Sequence, residues 1–347
     1  MRAQPILCFC AAGWLAATGA FAADWPQWRG PNRDGRSPEV RLLESWPDGG
    51  PARLWSAPGF GTGFSSLAVA GSRIYTMGDL ADGQFLLAAR ESDGTAVWRV
   101  RVGPVFEHEY PGPRSTPTVA NDRIFALGTE GDLVCVEAAD GREVWRRNIL
   151  DDFRGRQMRY QGTHYWRVSE SPLVDGDRVI VTPGAQDALL VALDVSSGKE
   201  IWRTRVDRNL GPKGDDGAAY SSAVISNAGG ARQIVQLVGR GAVGVDAGTG
   251  RLLWSYNAIA NGTANISTPI LSGDLIFVST GYQTGAALLE IPRENANVVE
   301  RYFLPHTTFQ NHHGNMILDG GVLYAGLDIR HYCWTPSFQV FKKSCFP

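Results

Sequence analysis

The sequence predicts an all-β fold, a β-propeller of four-stranded antiparallel blades with about five complete blades and a partial sixth. Two observations carry this. First, four near-identical phrases end in tryptophan: Gly94-Thr95-Ala96-Val97-Trp98, Gly141-Arg142-Glu143-Val144-Trp145, Gly198-Lys199-Glu200-Ile201-Trp202 and Gly250-Arg251-Leu252-Leu253-Trp254. They stand 47, 57 and 52 residues apart, the period of propeller blades. Second, small-residue openings recur ahead of each unit: Ser65-Ser66-Leu67, Ser115-Thr116-Pro117, Ser171-Pro172-Leu173, Ser221-Ser222-Ala223 and Ser267-Thr268-Pro269.

Along the chain, Arg2 precedes an apolar stretch, Ile6 to Phe21, that ends in Ala20-Phe21-Ala22. Residues 1–22 read as a secretory signal peptide cleaved after Ala22, which places the mature chain in the periplasm or outside the cell. The stretch falls short of the roughly 20 apolar residues of a membrane span, and no other segment approaches that length. Residues 23–51 read as a latch in which Trp25, Trp28 and Trp46 pack across the ring. Arg53-Leu54-Trp55 reads as a lone strand that closes the ring by completing the last blade.

Residues 52–326 are the repeats. In the third, strands are expected at Ser171–Val174, Arg178–Pro183, Leu189–Asp194 and Glu200–Thr204, with turns at Asp175-Gly176-Asp177 and Ser196-Ser197-Gly198. The closing tryptophans are expected to pack between neighbouring blades, where a large ring buries most apolar area. A sixth unit opens at Asn315–Leu318 and continues through Val322–Ala325. The tail, residues 327–347, departs from the pattern and holds two of the chain's four lysines and two of its five cysteines. It reads as a truncated or frame-shifted end.

Charge and cysteines narrow the function classes. With 33 Lys and Arg against 35 Asp and Glu, the net charge of −2 gives no footprint for nucleic acid. Outside the leader only Cys135, Cys333 and Cys345 remain, without a CxxC pair, so neither a disulfide framework nor a zinc site is signalled. The glycine-rich Gly239–Gly244 lies in a strand-and-turn context and is not a phosphate loop.

The phrases Val245-Asp246-Ala247-Gly248-Thr249-Gly250 leading to Trp254, and Ala192-Leu193-Asp194 leading to Gly198 and Trp202, resemble the repeat shared by pyrroloquinoline quinone (PQQ) dehydrogenases and BamB-type propellers of outer-membrane protein assembly. The mature start, Asp24-Trp25-Pro26-Gln27-Trp28-Arg29-Gly30-Pro31, resembles secreted, PQQ-binding-like propellers of planctomycete-type bacteria, as do Gln310–Gly314 and Ser169–Pro172. The resemblance implies a fold of seven or eight blades in full-length relatives and leaves two functions open. One is a non-catalytic binding or scaffold protein of the cell envelope, a monomer engaging a protein or small molecule at the channel mouth or inter-blade loops. The alternative is a PQQ-dependent alcohol or sugar dehydrogenase, in which PQQ sits against Ca²⁺ with a carboxylate base beside it.

A repeat supplies its own control, because a residue that breaks its column stands out. One column reads Ser65, Ser115, Glu170, Ser221, Ser267 and Gly314; the preceding one reads Phe64, Arg114, Ser169, Tyr220, Ile266 and His313. Arg114, Glu170, Tyr220 and His313, with His312 and Asn265 alongside, are therefore the candidate binding residues at the channel mouth. A water-filled channel lined by paired charges is the competing reading. His312 and His313, adjacent on an extended segment, are expected to point apart and so not to share a metal. The longest insertion, Asp151 to Val168, gathers Tyr160, His164, Tyr165 and Trp166 as a lid or contact surface.

Overall fold

The computed structural model describes residues 23–326, apart from 41, 164–165, 294–296 and 314, together with the backbone of 331–334. The leader, most of the tail, His164 and Tyr165 lie outside the described residues. Six antiparallel sheets follow one another along the chain. Blade one is β1 (Ala68–Ala70), β2 (Arg73–Leu80), β3 (Gly83–Arg90) and β4 (Ala96–Gly103); blade two is β5 (Thr118–Ala120), β6 (Arg123–Leu127), β7 (Asp132–Glu137) and β8 (Glu143–Asn148). After a short helix α1 (Ile149–Asp152), blade three is β9 (Leu173–Asp175), β10 (Arg178–Val181), β11 (Val191–Asp194) and β12 (Glu200–Arg203). Blade four is β13 (Val224–Ser226), β14 (Gln233–Val238), β15 (Gly241–Asp246) and β16 (Leu252–Tyr256). Blade five is β17 (Ile270–Ser272), β18 (Leu275–Thr280), β19 (Gly285–Glu290) and β20 (Val299–Pro305). Blade six has three strands, β21 (Ile317–Asp319), β22 (Val322–Gly326) and β23 (His331–Trp334). β23 pairs with β22, so part of the compositionally foreign tail belongs to the sixth sheet.

Local chemistry sets the strand ends. In blade three the register Arg178↔Asp175 leaves Gly176 and Asp177 as a two-residue turn, with Gly176 at φ +62°. The outer turn is held by Asp194, whose Oδ1 accepts from the backbone N–H and hydroxyl of both Ser196 and Ser197. Asp246 Oδ1 likewise accepts from the Gly248 N–H and from the N–H and hydroxyl of Thr249. In each of blades one to five the register slips by one residue where the third strand meets the fourth, leaving Val97, Val144, Ile201, Leu253 and Arg301 as bulge residues. In blade five the residue after the bulge is Tyr302, which takes the position held elsewhere by tryptophan.

The glycines and tryptophans of the repeated phrase form the joints. Gly94, Gly141, Gly198 and Gly250 all sit at φ between +67° and +76°, which favours glycine. A Cβ on them would stand 2.5–2.8 Å from the ring of the preceding tryptophan: Trp55, Trp98, Trp145 and Trp202 respectively. Three of those rings also donate Nε1–H to the next blade's outer turn, Trp55 to Glu91 O, Trp145 to Val195 O and Trp202 to Ala247 O, at 2.9–3.1 Å. The expected inter-blade packing of the tryptophans is therefore realised. Successive blades share separate apolar cores, such as Phe125, Leu133, Val179 and Val191 between blades two and three.

Residues 54–55 depart from expectation, because they form no strand and Leu54 is 90 % exposed. Trp55 nonetheless fills the Gly94 socket as a preceding blade's tryptophan would. The innermost strands are tied by a belt of hydroxyl bonds. Thr116 N–H donates to Ser171 Oγ and Ser171 N–H to Ser222 Oγ (2.9 Å each). Ser221 Oγ donates to Ser267 O (3.1 Å) and Ser267 Oγ to Asn311 Oδ1 (2.7 Å). This belt accounts for the hydroxyls of Ser171, Ser221, Ser222 and Ser267, whereas those of Ser115 and Thr116 bond nothing among the described residues.

The segment from Trp25 to Arg36 crosses these strands. Trp25 exchanges both backbone bonds with Val69 of blade one, and Pro26 O accepts from Val119 of blade two. Arg33 Nη2 donates to Ser171 O (2.8 Å) and Pro172 O (3.3 Å) of blade three, and Trp28 Nε1 to Thr268 Oγ1 (3.2 Å) of blade five. Arg29 bonds Asn315 Oδ1 (3.2 Å) and Met316 O, and Arg36 pairs with Asp319 of blade six. One segment thus ties blade one to blade six. Trp46, expected to join it, is 68 % exposed and does not pack there.

Candidate functional site

At one mouth of the channel lies a cup of about 640 Å³ to which all six blades contribute. Its wall follows directly from the alternation of extended chain. Phe64, Arg114, Ser169, Tyr220, Ile266 and His313, one column of the repeat, all line it. So do Ser171, Ser222, Thr268 and Asn315, two residues further along. In the column between them Glu170 turns away from the cup, whereas Ser267 both lines it and joins the hydroxyl belt. Trp28 of the crossing segment also lines the cup, together with Tyr110, Trp166 and Tyr282.

Arg114 is held in place by its own loop. Nη2 donates to Tyr110 O (2.6 Å) and Nη1 to Gly112 O (3.0 Å), while the guanidinium carbon lies 5.7 Å from the Phe64 ring centroid and 5.2 Å from that of Phe106. No carboxylate approaches within ion-pair distance among the described residues. The acid acting on it from further off is Asp79, whose two oxygens are taken by Gln84 Nε2 (2.9 Å) and Phe106 N–H (2.8 Å). Burial lowers the Arg114 pKa, and Tyr220 and Asp79 oppose that shift.

Tyr220 is 8 % exposed and its hydroxyl has no hydrogen-bond partner among the described residues. Burial raises its pKa, as does the field of Tyr282, against the pull of Arg114. Trp166 meets the Tyr220 ring edge-on at 5.5 Å and stacks on Tyr160 at 5.1 Å. The insertion from Asp151 is anchored to blade four's approach, with Met158 N–H bonded to Ala218 O. It thereby builds one wall of the cup.

Two of the candidate residues do not belong to the cup. Glu170 is 4 % exposed and faces the belt: its carboxylate accepts from Thr182 N–H, Thr182 Oγ1 (2.7 Å) and Gln236 Nε2 (3.2 Å). Burial pushes its pKa up to about 7 against those bonds and the charge of Arg33, which burial in turn brings down to about 9. Asn265 is a bracing residue whose Nδ2 donates to Val238 O (3.0 Å) and Gly239 O (3.2 Å). His312 and His313 do not point apart. They sit in a bend rather than an extended strand, with ring centroids 3.7 Å apart, and both line the cup. Among the described residues no cluster of three His, Cys, Asp or Glu could hold a metal, and no helix is long and apolar enough to cross a membrane.

Successive antiparallel sheets, with glycine sockets for the rings of Trp55, Trp98, Trp145 and Trp202, define a PQQ-like-repeat β-propeller. Residues 83–337, more than half of the chain, match the family of the outer membrane protein assembly factor BamB, and the protein belongs to that family. The BamB structure from Moraxella catarrhalis is 14 % identical, with a TM-score of 0.57 over 84 % of this chain and 77 % of that one. The quinohemoprotein alcohol dehydrogenase of Comamonas testosteroni is 14 % identical, with a TM-score of 0.53 over 87 % of this chain and 57 % of that one. Quinohemoprotein alcohol dehydrogenase ADH IIB of Pseudomonas putida is 30 % identical over 151 residues, 43 % of this chain and 20 % of the enzyme. The chain thus matches a fifth of that enzyme's length.

The cup's donors do not suit PQQ bound against Ca²⁺. Its wall holds no Asp or Glu, and both oxygens of Glu170 are committed behind it. Ca²⁺ takes six to eight oxygens with carboxylates prominent among them, and the wall offers hydroxyls, one amide and main-chain carbonyls. Among the described residues no carboxylate base faces the cavity.

Proposed function

We propose that this protein is an exported, monomeric, non-catalytic binding propeller of the cell envelope that takes its ligand or a partner's protruding group in the channel-mouth cup. One observation carries the reading: all six blades and the crossing segment build a single cavity rich in aromatic and hydroxyl groups and empty of carboxylates. Such a lining can bind and orient; with His312 and His313 as its bases, it supplies neither a carboxylate base nor a calcium ligand set among the described residues. The apolar leader before Ala23 supports export, and the net charge of −2 supports a partner other than nucleic acid. The insertion that brings Trp166 and Tyr160 to the rim gives a protein partner a second contact.

The alternative, a PQQ-dependent alcohol or sugar dehydrogenase, draws support from the 30 % identity to ADH IIB. The two are separated by adding PQQ and Ca²⁺ to the purified protein and following heat of binding and reduction of an artificial dye with alcohols and sugars. No Ca²⁺-dependent dye reduction is expected. Saturable PQQ binding with Ca²⁺-dependent turnover would replace this reading with the enzyme.

A further inference from the structure

Among the described residues Arg114 is the only side chain of fixed charge in the cup wall, and no carboxylate of that wall opposes it. Guanidinium groups held in apolar surroundings ordinarily meet a carboxylate, because an unpaired buried charge is costly. Here the group is fixed instead by two main-chain carbonyls and two aromatic rings, none of which removes its charge. Nε carries no hydrogen bond among the described residues. The same wall holds the Tyr220 hydroxyl, unpartnered among the described residues on a side chain more than nine-tenths buried, together with the rings of Trp28, Phe64, Tyr110 and Tyr282, the imidazoles of His312 and His313 and several hydroxyls.

We infer that the cup is a receptor for a small aromatic monocarboxylate, its carboxylate on Arg114 and the Tyr220 hydroxyl and its ring among the aromatic side chains. This rests on the binding reading above and names the ligand class for the same site. The chemistry of the wall discriminates among alternatives. An amine or zwitterion would find no acid for its ammonium. A sugar would find none of the Asp, Glu and Gln side chains that pair with vicinal hydroxyls. A phosphate dianion or a polycarboxylate would meet a single fixed cation, Arg114, with the imidazoles of His312 and His313 as the only other groups of the described wall able to carry positive charge. A cavity of about 640 Å³ holds a fused bicyclic acid with room to spare.

The test uses the purified protein and three probes of graded charge: naphthoate, its neutral isostere naphthamide, and benzene tricarboxylate. Binding is followed by calorimetry and by quenching of tryptophan fluorescence. Naphthoate is expected to bind at least about tenfold more tightly than naphthamide, because only the acid gains the charge-assisted bond. Arg114→Gln should weaken naphthoate by roughly 10- to 100-fold and leave naphthamide unchanged, and Arg114→Lys should recover part of the loss. Tyr220→Phe, which removes one hydroxyl, should weaken naphthoate by roughly 3- to 10-fold. Equal binding of acid and amide, tighter binding of the tricarboxylate, or an Arg114→Gln protein with unaltered preference would each overturn the assignment. So would absence of naphthoate binding by protein that melts cooperatively. None of these outcomes depends on dye reduction, so failure of the ligand class and failure of the non-catalytic reading are distinguishable.

Discussion

Adding one methyl group to Gly198 tests the joint between blades two and three. The backbone there is left-handed, at φ +67°, which costs a residue with a Cβ about 1–2 kcal/mol. The new Cβ would also stand 2.8 Å from two atoms of the Trp145 ring, and overpacking of this kind adds about 1–3 kcal/mol. Gly198→Ala should therefore destabilise the protein by roughly 2–5 kcal/mol. The same blade contains a control. Gly176 has nearly the same backbone, φ +62°, but nothing within 4 Å of where its Cβ would stand. Gly176→Ala should cause only the backbone loss, about 1–2 kcal/mol. Guanidinium denaturation midpoints of the two variants, read with their slopes, give the difference. In a Trp145→Leu background the excess at Gly198 should shrink, because the obstructing ring atoms are gone. If the two glycine variants lose equal stability, the socket is not what these residues supply and the packing argument fails.

Further outcomes follow from the belt and the crossing segment. Glu170 titrates near 7 in the folded protein, above its unfolded value of about 4.3, so folding favours its protonated form. Its contribution is full below about pH 4.3 and is lost as pH rises through about 7, so Glu170→Gln should flatten the fall in melting temperature between those limits. A wild-type profile that instead rises across that window would contradict the burial argument. Arg33→Leu removes two bonds to blade three and should lower stability by about 1–3 kcal/mol. It should also speed proteolytic release of residues 24–36, followed by mass spectrometry; cleavage at the wild-type rate would show that Arg33 does not anchor the segment.

Much of the fold was legible because the repeat states its rules several times over. The turn at Asp194, the glycine and the tryptophan of blade three recur in blade four, so period and strand order follow from residues alone. Blade five was harder, since Tyr302 occupies the tryptophan position and the phrase that announces it is missing. At the site, reading columns found Arg114, Tyr220 and His313 but also proposed Glu170, which breaks its column just as plainly. Glu170 stands one place further along its repeat than Arg114 and Tyr220 do in theirs, and there one place turns the side chain from the cup to its buried partners Thr182 and Gln236. Only the structure shows which parity faces the cavity. The contributions of Trp28 and Tyr282 carried no sequence signal of a wall, because their positions depend on how a distant segment and a strand-connecting turn meet the ring. The pairing of His312 with His313 was misjudged because a bend replaces the extended chain there.

The four joints from the Trp55 segment to blade four are made of the same two halves, an indole offered by one unit and a bare glycine that receives it in the next. A whole repeat therefore carries one half of the coupling at each boundary, and Trp55, which lies in no strand, shows that even a short segment can supply the indole half. Duplication or loss of blade one, two or three by recombination would leave the indole–glycine couplings matched, so blade number can drift between descendants without a new interface arising. The features that cannot be copied in this way are the ones written once, such as Arg114 and Tyr220. Selection on what the cup recognises would thus act on single blades, while the ring that holds them is inherited as interchangeable parts.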